Sequence, residues 1–164
     1  MKPTSPLVEL QHDGDFADVP DDAQFQAWVL QALQLAGHDG GELVIRIVDE
    51  DESRALNHAY RGKDKPTNVL SFPFEVPEGV PAEALPPLLG DLVICAPVVA
   101  AEAAEQGKTL HDHWAHMVIH GVLHLLGFDH IDNADAVIME SLEVRILAGL
   151  DIANPYDDAA HAPA

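Results

Sequence analysis

The run His120-Gly121-Val122-Leu123-His124-Leu125-Leu126-Gly127-Phe128-Asp129-His130 constrains this chain more than any other segment. On a helix, a four-residue step is about one turn plus 40° and about 6 Å of rise. The imidazoles of His120 and His124 therefore leave the same face. Gly127 offers a left-handed stop, after which the chain can turn back and present His130. Three neutral imidazoles meeting at one point are the ligand set of an open zinc site, with a fourth position left over. The alternative is a buried helix that carries its histidines for packing, but two at ligand spacing and a third past the glycine argue for metal. His111, His113 and His116 lie on or near the same helix. Each of them alone reads better as an ordinary helix residue than as an extra ligand, an orienting partner or a substrate contact.

At 164 residues the chain is one domain by length, with enough material for a sizeable core. That domain is expected over 1–152, with 153–164 as a frayed tail. Apolar residues make up 48%, the level of an ordinary globular protein. No stretch approaches the ~18 apolar residues of a membrane span, so no membrane partner is expected. The first residues lack the apolar core of a signal peptide. Cys95, the only cysteine, ends an apolar run and reads as a small buried hydrophobe. One cysteine forms no internal disulfide, and a reducing cytoplasm is the simplest compartment.

Charge is the unusual property. Eight Lys+Arg against 28 Asp+Glu give −20, and such a field repels a polyanion at long range. The acids gather at Asp13 to Asp22, at Asp49 to Glu52 and at Asp157-Asp158. Arg61, Lys63 and Lys65 cluster apart from them, with Arg54 about two helical turns earlier. This local basic spot can bind a phosphate, though with little help from steering. The acidic excess itself reads as a well-solvated surface.

Hydrophobic patterning predicts an α+β domain: about four strands in a mixed sheet, packed helices, and a zincin-like metal helix. Strands are expected near Leu7 to Gln11, over Glu42 to Val48, over Val69 to Phe72 and over Gly90 to Cys95. Helices should follow Pro20, start at a cap on Asp51 or Ser53, start near Pro97, and run from a cap on Thr109 or Asp112 to about Leu126. A last helix is expected over Ala134 to Leu150, with its period set by Ile138, Leu142, Arg145 and Ile146. Glu75 to Leu89 reads as a loop. Strand order cannot be read from such patterns.

The histidine spacing also fits the H-E-x-x-H-x-x-G-x-x-H metalloprotease pattern except at one position, where the general base Glu is replaced by Gly121. A glycine moves no proton, so a peptidase mechanism lacks its base. Asp129 is the nearest carboxylate in sequence and can either orient an imidazole or act as a base.

Two motifs, His120 to His130 and Tyr60-Arg-Gly-Lys-Asp-Lys-Pro-Thr-Asn-Val-Leu-Ser-Phe-Pro73, resemble the YbeY family of bacterial endoribonucleases, also called rRNA maturation factors. Leu89 to Ile94 and His113-Trp-Ala-His116 add to the likeness, which covers roughly residues 42 to 156. The acidic start and the alanine tail look private to this chain. The resemblance implies a zinc-dependent endoribonuclease specific for single strands, active in maturation of the 16S ribosomal RNA 3′ end and in ribosome quality control. It makes His120, His124 and His130 the zinc ligands, with nickel or another divalent ion also acceptable to imidazoles. It makes Arg61 a phosphate-binding or charge-stabilising residue. Lys63 and Lys65 are weaker candidates for substrate contact, and Ser71 and Asp91 serve structure. Partners would be single-stranded ribosomal RNA and, given the acidic surface, a small-subunit protein or an assembly GTPase. Two other readings stand beside this one: a metallohydrolase of peptides or small esters, and a non-enzymatic assembly factor with structural zinc.

Overall fold

The computed structural model describes residues 7–12, 14, 16, 19–37, 41–74, 78–79, 81, 88–128 and 133–155. Four strands, β1 (Leu7–His12), β2 (Glu42–Val48), β3 (Val69–Pro73) and β4 (Leu88–Cys95), form one sheet in the order β1-β2-β4-β3. The first two pairings are parallel and the last is antiparallel. Parallel neighbours need a crossover, and α1 (Asp22–Leu35) supplies the one between β1 and β2. It starts in a capping box: Asp21 accepts from the Gln24 amide at 2.9 Å, and Gln24 Oε1 accepts from the Asp21 amide at 3.1 Å.

The helix α2 (Glu50–Arg61) starts earlier than its sequence cues suggest. Its cap is Asp49, which accepts from the Glu52 amide at 2.9 Å, and not Asp51 or Ser53. Ser53 is buried and serves elsewhere, as shown below. The strand β4 likewise begins at Leu88, two residues before the expected Gly90, by adding a register shift between Glu42 and Leu43. Gly90 has φ +140°, and a Cβ there would lie 2.2 Å from the Phe72 carbonyl oxygen, so the β3–β4 approach requires glycine. Most of the expected 75–89 loop and the tail from 156 onward lie outside the described residues.

Three helices follow: α3 (Ala96–Gln106), α4 (Leu110–Leu125) and α5 (Asn133–Ala148). Thr109 caps α4 by accepting from the Asp112 amide at 3.1 Å. The helix then runs between the sheet and the other helices, touching β3, β4, α1, α3 and α5. It is buried on nearly every side, as expected of a helix apolar all round. The main core joins Phe25 and Trp28 of α1, Ile45, Ile47, Leu92 and Ile94 of the sheet, Trp114, Ile119 and Leu123 of α4, and Ile146 of α5. Val48, Leu70, Val93 and Cys95 pack on the opposite sheet face.

Sequence periodicity places the inner stripe of α5 slightly wrong. Ile138 is 56% exposed and Arg145 is exposed. The buried stripe is Met139, Leu142, Glu143, Ile146 and Leu147, the i, i+3, i+4, i+7, i+8 pattern of a core-facing helix. A glutamate thus lies in the centre of an apolar stripe.

Candidate metal centre and cleft

The end of α4 is closed by a Schellman turn. Gly127, at φ +100°, donates its N–H to the His124 carbonyl at 3.0 Å, and Phe128 donates to the Leu123 carbonyl at 3.0 Å. On the last two turns before this stop, His120 and His124 project to one side, with Nε2 of one ring 3.1 Å from Nε2 of the other. Two metal bonds of 2.0–2.1 Å at a tetrahedral angle place ligand nitrogens about 3.3 Å apart. The observed spacing fits a shared cation.

The other nitrogen of His120 has its own partner. Nδ1 donates to Oε1 of Glu143 at 2.7 Å, and the second oxygen of that carboxylate lies 3.5 Å from Nε2 of His116. Glu143 is wholly buried. Burial alone would raise its pKa, but hydrogen bonds from His116 and His120 hold the carboxyl at about 2. One atom each from His116, His120 and Glu143 lies within 4.8 Å of the others, so this triad also has the donors to hold a metal ion. Nδ1 is the His120 nitrogen that meets Glu143, and Nε2 the one that meets His124. Two members of the triad, His116 and Glu143, are buried, whereas His120 is half-buried and lines an open cleft together with His124.

That cleft has a volume of about 690 Å³ and brings together Tyr60, Arg61, Thr67, Asn68, Ser71, His120, His124 and Phe128, among others. Part of its lining comes from the end of α2 and the loop after it. Gly62, at φ +73°, stops α2 with its N–H on the His58 carbonyl at 3.0 Å. Two buried polar side chains of α2 then clamp the returning loop. Asn57 donates to the Lys65 carbonyl at 2.8 Å, and Ser53 both donates to the Thr67 carbonyl and accepts from the Thr67 amide, each at 3.0 Å. Asn68 donates to both oxygens of Glu102 at 3.1 and 3.2 Å, and Ser71 donates to the Gly121 carbonyl at 3.2 Å.

Of the residues singled out from sequence, the structure gathers His120, His124 and Arg61 around one cleft. His130 and Asp129 lie outside the described residues. Lys63 and Lys65 are exposed on the clamped loop and are not part of the cleft wall. Arg54 is not part of a free basic spot: it forms a two-point ion pair with Asp64 at 2.7 and 3.1 Å. His113 is buried, with Nε2 on Glu102 at 2.9 Å, and burial lowers its pKa although Glu102 opposes this. His111 is exposed, 3.0 Å from Asp112 and edge-on to Trp28. Glu143 was missed, because a glutamate on a helix ordinarily faces water. The available signal was its place in the Met139 to Leu147 stripe. Gly121, where metalloproteases carry their base, faces the sheet: a Cβ there would lie 2.8 Å from Leu92 Cδ2. Any side chain at that position starts against Leu92 and Val69 of the sheet.

Fold and cleft together define an α+β protein with paired imidazoles at the end of a buried helix and an arginine lining the same cleft. A family model described as Endoribonuclease YbeY matches residues 11–151, and the chain belongs to that family. The match takes in much of the N-terminal region beyond the motifs. Similar proteins include Endoribonuclease YbeY of Alcanivorax borkumensis, 56% identical over 94% of this chain and 89% of that protein. The protein of the same name from Halorhodospira halophila is 62% identical over 87% of this chain and 91% of its own length. The solution structure of TM1509 from Thermotoga maritima shares the fold, with a TM-score of 0.56, 22% identity, and coverage of 88% of this chain and 92% of that one. No helix among the described residues is long and apolar enough to cross a membrane.

Proposed function

We propose that this protein is a metal-dependent endoribonuclease that cuts single-stranded ribosomal RNA, acting in maturation of the 16S 3′ end and in ribosome quality control. The observation that carries the reading is the 3.1 Å approach of the His120 and His124 Nε2 atoms on the wall of a cleft that Arg61 also lines. Together with family membership, it favours phosphodiester cleavage over peptide or ester hydrolysis.

In this reading His120, His124 and His130 hold one zinc ion, and nickel or another divalent ion can replace it. A bound ion supplies Lewis acidity at the phosphate. The cleft-facing pair is preferred to the buried triad because Nδ1 of His120 already donates to Glu143. That bond fixes the tautomer and frees Nε2 as ligand. Arg61 places a planar guanidinium where it can take two phosphate oxygens and stabilise charge that grows on them. Lys63 and Lys65, both exposed, extend the phosphate path at the cleft's margin. Asp129 orients a ligand or takes a proton. Gly121 does neither.

Residues 1–152 form the single catalytic domain. The protein works in the cytoplasm. Its charge of −20 gives poor steering toward RNA, so a small-subunit protein or an assembly GTPase delivers the substrate. A pull-down that enriches no such factor over a control would remove that part of the proposal.

The central test is cleavage of single-stranded against duplex ribosomal RNA by wild type, His124→Ala and Arg61→Ala, with metal measured on the same samples. Wild type should cut single strands and stop with a chelator. His124→Ala should lose metal and activity together. Arg61→Ala should keep its metal and lose about a hundredfold or more in rate. Stoichiometric metal without any cleavage would sink the nuclease reading and favour a structural site.

A further inference from the structure

Resting on the nuclease reading, we propose that Tyr60, backed by Phe72, is the surface on which a base of the RNA strand stacks while Arg61 holds the adjoining phosphate. Tyr60 occupies the last turn of α2, and the residue is 56% exposed. Most large apolar side chains in the described structure are buried, so an open ring at the rim of the cleft calls for a reason. It is also held in place. The Phe72 ring lies beneath it, with centroids 4.4 Å apart and planes at 58°. A supported aromatic ring with a solvent-facing side loses little freedom on binding, which favours stacking.

Position supplies the second argument. Tyr60 and Arg61 are consecutive, and both line the cleft that His120 and His124 enter. Base and phosphate hang from one sugar, so their two recognition groups must be neighbours on the protein. Gly62 turns the chain directly after them, and Asn57 and Ser53 clamp the loop, so the pair is presented on a fixed edge. Single-stranded RNA is commonly held by bases stacked on aromatic side chains, without demand for a particular base. A base inside a duplex is already stacked on its neighbours and cannot occupy such a ring. Tyr60 would thereby contribute to strand selectivity, a property that neither Arg61 nor a metal can supply because phosphates occur in both forms.

The experiment uses the full chain. Both native tryptophans, Trp28 and Trp114, are buried at 3% and 1% exposure, so Tyr60→Trp adds an exposed indole whose emission reports on stacking. A short single-stranded oligoribonucleotide should quench it, and an abasic strand of equal length and charge should not. In steady-state cleavage of the single strand, Tyr60→Ala should raise KM about tenfold, with metal content as in wild type. Tyr60→Phe should bind as wild type does, because the ring and not the hydroxyl makes the contact. Equal quenching by the abasic strand, an unchanged KM in Tyr60→Ala, or a Tyr60→Phe defect as large as that of Tyr60→Ala would each overturn the proposal while leaving wild-type cleavage intact. Failure of wild type to cut RNA would overturn the underlying nuclease reading as well.

Discussion

Glu143 of α5 accepts a hydrogen bond from Nδ1 of His120 on α4 at 2.7 Å, in a site from which its carboxylate sees no solvent. A buried carboxylate is tolerated only when paired, and here both oxygens face imidazoles. The bond sets which nitrogen of His120 carries the proton and which way the ring turns. Glu143→Gln keeps shape and volume but removes the charge and one acceptor. Metal affinity should fall about tenfold to a hundredfold while the far-ultraviolet circular dichroism stays that of wild type. Competition with a chelating indicator measures it. Unchanged affinity would mean the carboxylate serves packing alone.

The loop after α2 depends on Asn57, which is 1% exposed and donates to the Lys65 carbonyl at 2.8 Å. Asn57→Ala leaves that carbonyl without its partner and should lower stability by about 1–3 kcal/mol. It should also loosen the wall that carries Arg61. Urea denaturation gives the first quantity. Faster amide exchange at Thr67, whose N–H is held by Ser53, would show the second. Exchange as slow as in wild type would mean that Ser53 alone suffices to hold the loop.

Some of this was legible in the chain because the relations are local. The Thr109 cap and the His120–His124 pairing span three or four residues of one helix, and the Gly127 stop ends that helix. Such relations follow from backbone geometry and need no tertiary information. The strand order β1-β2-β4-β3 arises from pairing between distant segments and left no local trace. Glu143 is 23 residues from His120, and its role emerges only when α5 docks on α4. The Arg54–Asp64 pair escaped notice for the same reason. Counting Arg54 toward a basic cluster ignored an acid ten residues on that the loop folds back against it.

His113 offers a test by pH. Burial disfavours its charged form and lowers its pKa below the ordinary 6.5, despite the hydrogen bond from Nε2 to Glu102 and with Lys108 and His116 also facing it. The unfolded chain therefore binds a proton there before the folded one does. Stability from this residue is fully present above pH ~6.5 and declines as the pH falls below it. Replacing His113 with Asn removes the titration. Thermal melts of both proteins across pH 5 to 8 should show their difference constant above about 6.5 and shrinking below it. A difference that grows on acidification would reverse the assignment and place a charged imidazole beside Glu102 in the folded state.

Gly121 decides between a packing and a chemical account of the helix signature. The helix face at this residue lies against β4 and β3: an added Cβ would sit 2.8 Å from Leu92 Cδ2, 3.1 Å from Leu92 Cδ1 and 3.3 Å from Val69 Cγ2. Leu92 is fully buried, so its methyl groups can give way only by repacking the core around them, and overpacking of this kind costs about 1–3 kcal/mol. The gain in helix propensity from glycine to alanine, at most about 1 kcal/mol, is too small to offset it. Gly121→Ala should therefore destabilise the domain in urea denaturation, although alanine is the better helix former. Gly121→Glu, which restores the protease pattern in sequence, should be far less stable still and should gain no peptidase activity, because the new carboxylate would be driven into the sheet and not toward the cleft. A Gly121→Ala protein as stable as wild type would show that α4 can shift on the sheet. The spacing between the imidazoles and Arg61 would then be less fixed than the nuclease reading requires.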